Sequence, residues 1–62
     1  VVNSVQREIV NVLRGASQHT LSFEEIVDLS QQNMLAVDDA LNAMRRDGDV
    51  IEIRPGRWML LE

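Results

Sequence analysis

Residues 33–61 read NMLAVDDALNAMRRDGDVIEIRPGRWMLL, and this stretch decides the fold. Val37, Ala40, Leu41 and Met44 fall at helical intervals and share one face. Asn33 is suited to cap the start of that helix and Gly48 to end it, with Met34 and Leu35 either in the turn before it or in its first turn. Asp38 and Asp39 then lie toward the amino end, which favours negative charge, and Arg45 and Arg46 toward the carboxyl end, which favours positive charge. Beyond Asp49, Val50-Ile51-Glu52-Ile53 and Trp58-Met59-Leu60-Leu61 are strand-like runs. The intervening Arg54-Pro55-Gly56-Arg57 fits a tight type II turn: proline presets the first central position, and glycine accepts the positive backbone angle needed at the second. A helix over about 34–47 and a hairpin of strands at about 50–54 and 57–61 are expected, with Arg54 and Arg57 at the hairpin tip.

Toward the amino end, Leu21-Ser22-Phe23-Glu24-Glu25-Ile26-Val27 sets a glutamate three residues after a serine, the capping-box spacing. It predicts a helix over about 22–30, with Ile26, Val27 and Leu29 on its buried side, Phe23 closing the end of the core and Leu21 placed for a hydrophobic staple. Ser30-Gln31-Gln32-Asn33 is a polar break between this helix and the next. Val5, Ile9, Val12 and Leu13 give an earlier helix over about 4–14, whose stripe Val2 extends and which Gly15 stops. Ala16 to His19 reads as a loop and Thr20-Leu21 as a very short strand. The order helix, short strand, helix, helix, strand, strand is an α+β winged helix-turn-helix in a single domain over 1–62, with the carboxyl-terminal β-hairpin as the wing.

Composition narrows the function classes. A chain of 62 residues buries only about 60% of its unfolded surface, which leaves little room for an elaborate internal active site. Apolar residues make up 45% of the chain and recur periodically, so it is expected to fold rather than behave as a disordered acidic segment. The absence of cysteine excludes disulfides, thiol catalysis and thiolate metal sites, and is compatible with an intracellular protein. The longest apolar runs fall far short of the roughly 20 residues a membrane-spanning helix needs, so no membrane partner is expected. A start at Val1 reads as an excised domain, expected to be monomeric by itself. The formal charge is −4, yet four of the six arginines lie within the last eighteen residues, and there is no lysine. Global acidity opposes nonspecific attraction to nucleic acid, while a local arginine patch can still touch phosphates.

Three segments, 21–27, 37–50 and 53–60, together resemble the small winged-helix domain at the carboxyl end of minichromosome maintenance replicative helicases, especially archaeal ones. That resemblance implies a parent ATP-dependent DNA helicase, a location in the nucleoid or nucleus, and partners among the parent's other domains or subunits and among replication factors. The chain carries no glycine-rich loop ending in lysine, so this piece is expected to be catalytically silent and to hold no cofactor. A second resemblance is to the winged helix of the replication protein A middle subunit, a family whose domain serves mainly to bind proteins.

Candidate contact residues divide between two ligand classes. Arg54 and Arg57 flank a rigid turn and can reach phosphates, with Arg45 and Arg46 forming an adjoining basic edge if the fold unites them; the alternative is turn solubility and ion pairs with Glu52 or the acidic helices. The side of the third helix opposite its core stripe includes Asp39, Asn42, Ala43 and Arg46; Asn42 suits adenine and Arg46 guanine or phosphate, whereas the acids favour solvent or a protein partner. Trp58 either packs in the core or stacks on a base. Asp38, Asp39, Met34 and Leu35 are the protein-contact candidates. The Glu24-Glu25 and Asp38-Asp39 pairs diverge around their helices and suit helix amino ends better than catalysis, and His19 lacks a ligand set. The leading expectation is a regulatory module of a DNA replication protein with weak DNA-phosphate or intersubunit contacts. The alternatives are a protein-interaction domain that docks a basic segment and a transcriptional regulator.

Overall fold

The computed structural model describes residues 4–61 and forms a winged helix-turn-helix. Val2 lies outside the described residues. Helix α1 (Ser4–Arg14) leads through a 3₁₀ turn (Ser17–His19) into β1 (Thr20–Ser22); α2 (Phe23–Ser30), α3 (Met34–Asp47), β2 (Val50–Arg54) and β3 (Arg57–Leu60) follow. The strands form an antiparallel sheet in the order β1-β3-β2. Its helix-facing side carries the aligned trio Leu21, Trp58 and Glu52, with Leu60 beside Val50. Ile9 and Leu13 of α1, Ile26 of α2 and Val37, Ala40, Leu41 and Met44 of α3 complete one core with Leu21, Val50, Trp58 and Leu60.

Local chemistry sets each boundary. The Ser22 hydroxyl accepts from the Glu25 N–H at 3.1 Å while the Glu25 carboxylate accepts from the Ser22 N–H at 2.8 Å, the reciprocal capping box. Asn33 caps α3 by accepting from the Ala36 N–H at 2.8 Å, which places Met34 and Leu35 in the first helical turn. At the other end, Gly48 adopts φ +84°, its N–H donates to the Arg45 carbonyl, and the Asp49 N–H reaches back to Met44, a Schellman closure that turns the chain into β2.

The wing turn shows how proline shapes a hairpin. Pro55 cannot take the positive φ that the primed turns favoured in two-residue hairpins require, whereas Gly56, at φ +80°, fits the second central position of a type II turn. The twist of that turn opposes the strands. The pairing moves from Glu52↔Trp58 to Arg54↔Arg57, leaving Ile53 as the extra residue of a bulge that absorbs the mismatch.

Four expectations need correction. Leu29 is 59% exposed, because Phe23, Ile26, Val27 and Ser30 define the inward face of α2 and Leu29 lies about 110° away around the axis. Ser30, expected both to end the helix over 22–30 and to open the polar break, does end α2 but is buried rather than turned to solvent, and it donates its hydroxyl to the Val27 carbonyl at 3.4 Å. Leu61 follows the end of β3 rather than belonging to it, although its N–H closes onto the Asp49 carbonyl. With α3 starting at Met34, Asp38 and Asp39 fall beyond the first turn, where attraction to the helix terminus fades.

The capping box also makes a pH prediction. The Ser22 N–H foremost, then the Ser22 hydroxyl and the nearby Arg57 guanidinium, hold the Glu25 carboxyl below its ordinary value of 4.5. A folded-state pKa lowered in this way stabilises the domain above the unfolded value, and the contribution is lost as pH falls through the lower folded value. Ser22→Ala is expected to cost about 1 kcal/mol at neutral pH, measured by urea unfolding followed through Trp58 fluorescence. That difference should shrink as the pH is lowered through the depressed Glu25 pKa.

Candidate functional site

In a winged helix that binds DNA, the exposed side of the helix-turn-helix's second helix, here α3, and the wing are the surfaces offered to the duplex. Here their junction is occupied by the protein's own side chains. The Arg45 guanidinium lies 3.7 Å from the Glu52 carboxylate, donates to the Asn42 side-chain Oδ1 at 3.4 Å and sits 5.9 Å from the centre of the Trp58 ring. Asn42 in turn donates to Asp38 at 3.5 Å, so one polar chain runs from Asp38 along α3 to β2. Glu52 also accepts from the Gly56 N–H at 2.9 Å, linking Arg45 to the wing turn through one carboxylate. The Gly56 carbonyl accepts from the Phe23 N–H at 2.7 Å, so the wing tip is held against the start of α2 rather than free to reach outward.

Sheet parity separates the arginines. Neighbouring residues on a strand point to opposite faces, so Arg57 lies on the face opposite Trp58 and Glu52, where it is paired in register with Arg54 and Ser22. Arg45 stands over the Trp58 face. The fold therefore does not unite Arg45 with Arg54 and Arg57 in one basic edge. The two wing arginines instead border a shallow groove shared with Ser17, Gln18, Thr20 and Glu25. One wall of that groove is the tight turn in which Gln18 and His19 both adopt positive φ, 57° and 53°.

The remaining sequence candidates scatter over α3. Arg46, Asp39 and Leu35 project from its exposed side, and Asn42 is half-buried. Met34 lies on the flank facing α2, where it joins Phe23 and Val27 as the apolar lining of a groove of about 190 Å³ rimmed by Glu24 and Asp28. Sequence reasoning missed this groove. Its signal was two stripes at four-residue spacing on one helix, Phe23 with Val27 and Glu24 with Asp28, but only the packing of α2 against α3 brings Met34 to them. Trp58 is buried as core, with Arg45 against its ring.

Among the described residues, no group of three His, Cys, Asp or Glu side chains is placed to hold a metal ion, and no helix is long and apolar enough to cross a membrane. Compared with known proteins, the chain matches no family model and no curated protein sequence.

Proposed function

We propose that the domain is a non-catalytic winged-helix module that docks a basic protein segment on its acidic helical side and does not read DNA sequence. The observation that carries this reading is the engagement of Arg45 by Glu52, Asn42 and Trp58 at the junction of α3 and the wing. Major-groove readout needs free donors and acceptors on the exposed side of the reading helix. Asn42 already turns its amide oxygen to Arg45 and an N–H to Asp38, and Arg45 commits part of its five-donor fork to Asn42 and Glu52. Freeing Arg45 costs only about 1 kcal/mol for an exposed pair of this kind. Repulsion between phosphates and Asp38, Asp39 and a net charge of −4 adds to that cost. The acidic side suits a cationic protein ligand for the same reason.

A second reading is favoured by the exposure of Arg46, Arg54 and Arg57, none of which forms an ion pair within 4 Å among the described residues. Tethered to a replicative helicase ring, as the family resemblance implies, these three arginines would make weak phosphate contacts strengthened by effective concentration. Fluorescence anisotropy with a labelled duplex separates the readings. Protein docking predicts binding weaker than about 10⁻⁴ M, the weak end of ordinary nonspecific binding. Micromolar affinity that falls steeply with salt and disappears in Arg54→Ala/Arg57→Ala would support the second reading against the first.

A further inference from the structure

The groove between α2 and the first turn of α3 combines an uncovered apolar surface with acids that have no ion-pair partner among the described residues. Met34 is 62% exposed although it opens a helix beside a half-buried apolar pair, Phe23 and Val27, so an apolar surface stands uncovered there. Asp28 lies in the last turn of α2, where the helix dipole disfavours negative charge, so its place is not that of a terminal stabiliser. Glu24, one turn earlier on the same side, is favourable for the helix end, yet neither acid forms an ion pair among the described residues. At about 190 Å³ the groove exceeds the roughly 150 Å³ of an engineered cavity that accepts benzene, so one aliphatic side chain fits.

We infer that this groove receives a cationic amphipathic segment of a partner protein, with one aliphatic side chain seated on Phe23, Val27 and Met34 and lysine or arginine paired with Glu24 and Asp28. The inference rests on the protein-docking reading and gives it a location distinct from Asp38, Asp39 and Leu35 on the outer side of α3. Charge complementarity selects the occupant: the charged residues that line the groove, Glu24 and Asp28, are both acids. An apolar contact surrounded by charge is the arrangement through which amphipathic helices dock in grooves, the apolar part holding and the charges selecting.

The test uses two synthetic helical peptides of equal positive charge, one with a leucine stripe and one with serine in its place, titrated into the ¹⁵N-labelled domain at physiological salt. The leucine peptide is expected to shift the amides of Phe23, Val27 and Met34 and to bind at least about tenfold tighter than the serine peptide. Glu24→Gln/Asp28→Asn should weaken it by about tenfold, while Asp38→Asn/Asp39→Asn leaves it within about twofold. All four side chains are exposed, so these variants retain the fold. Equal affinity for both peptides overturns the groove, because charge alone would then account for binding. Shifts centred on Leu35 and Asp39, with affinity lost in the Asp38→Asn/Asp39→Asn variant, overturn the groove but leave protein docking standing. Concentration-dependent shifts at Phe23, Val27 and Met34 without peptide assign the groove to a second copy of the chain and overturn the proposed occupant. Failure of both peptides overturns the groove, and duplex binding through Arg46, Arg54 and Arg57 in the same samples overturns protein docking as well.

Discussion

Trp58→Ala is expected to remove about 4 kcal/mol of stability, the cost typical of truncating a large buried aromatic side chain. A chain of 62 residues has a total stability of about 3–9 kcal/mol, so the variant should be largely unfolded or melt far below the wild type. Trp58 is 6% exposed and sits in the central strand, in register with Leu21 of β1 and Glu52 of β2. Its loss leaves a void between sheet and helices and removes the ring that faces Arg45. Trp58→Phe keeps an aromatic filler and should cost less than half as much. Thermal melts followed by far-ultraviolet circular dichroism measure both, since neither variant retains a tryptophan. A Trp58→Ala melting temperature within a few degrees of the wild type would contradict the assignment of this residue to the core.

The second large effect distinguishes two leucines on one helix. Leu41, 1% exposed, lies at the centre of the buried stripe of α3 with Val37 and Met44, while Leu35 is 79% exposed near its start. Leu41→Ala should cost about 3 kcal/mol and lower the melting temperature by roughly 12–24 °C for a domain of this size. Leu35→Ala should change stability by no more than about 0.5 kcal/mol, because it leaves no cavity and alanine is the better helix former. Urea unfolding with Trp58 fluorescence gives both values. Comparable losses would mean that the face of α3 turned toward the core has been assigned wrongly.

Elements with local signals were legible in the sequence. The Ser22–Glu25 box, the Asn33 cap, Gly48 and the Pro55-Gly56 turn are chemically specified within a few residues, and the boundaries of α2, α3 and the wing follow them. Leu29 was misread because α2 has eight residues and too few apolar positions to fix the direction of its inward face. The burial of Ser30 was illegible for a related reason: its polarity signals a break, yet its hydroxyl bonds back to the helix and permits burial. The site was less legible, since its decisive contacts join distant segments. Arg45, Glu52 and Trp58 meet only when α3 is laid beside the wing, and the separation of Arg45 from Arg54 and Arg57 depends on strand parity and the bulge at Ile53. Net charge, visible from the beginning, could not show which arginines were engaged.

The most direct measurement is a side-by-side chemical-shift titration of the intact domain with the leucine-striped cationic peptide and with duplex DNA at equal concentration and physiological salt. Protein docking predicts saturable shifts with the peptide on the α2–α3 side, and no saturable shifts with DNA while the Arg45 side chain keeps its free-state signals. Saturable DNA binding with shifts at Asn42, Arg45, Arg46, Arg54 and Arg57, accompanied by no response to the peptide, would contradict it.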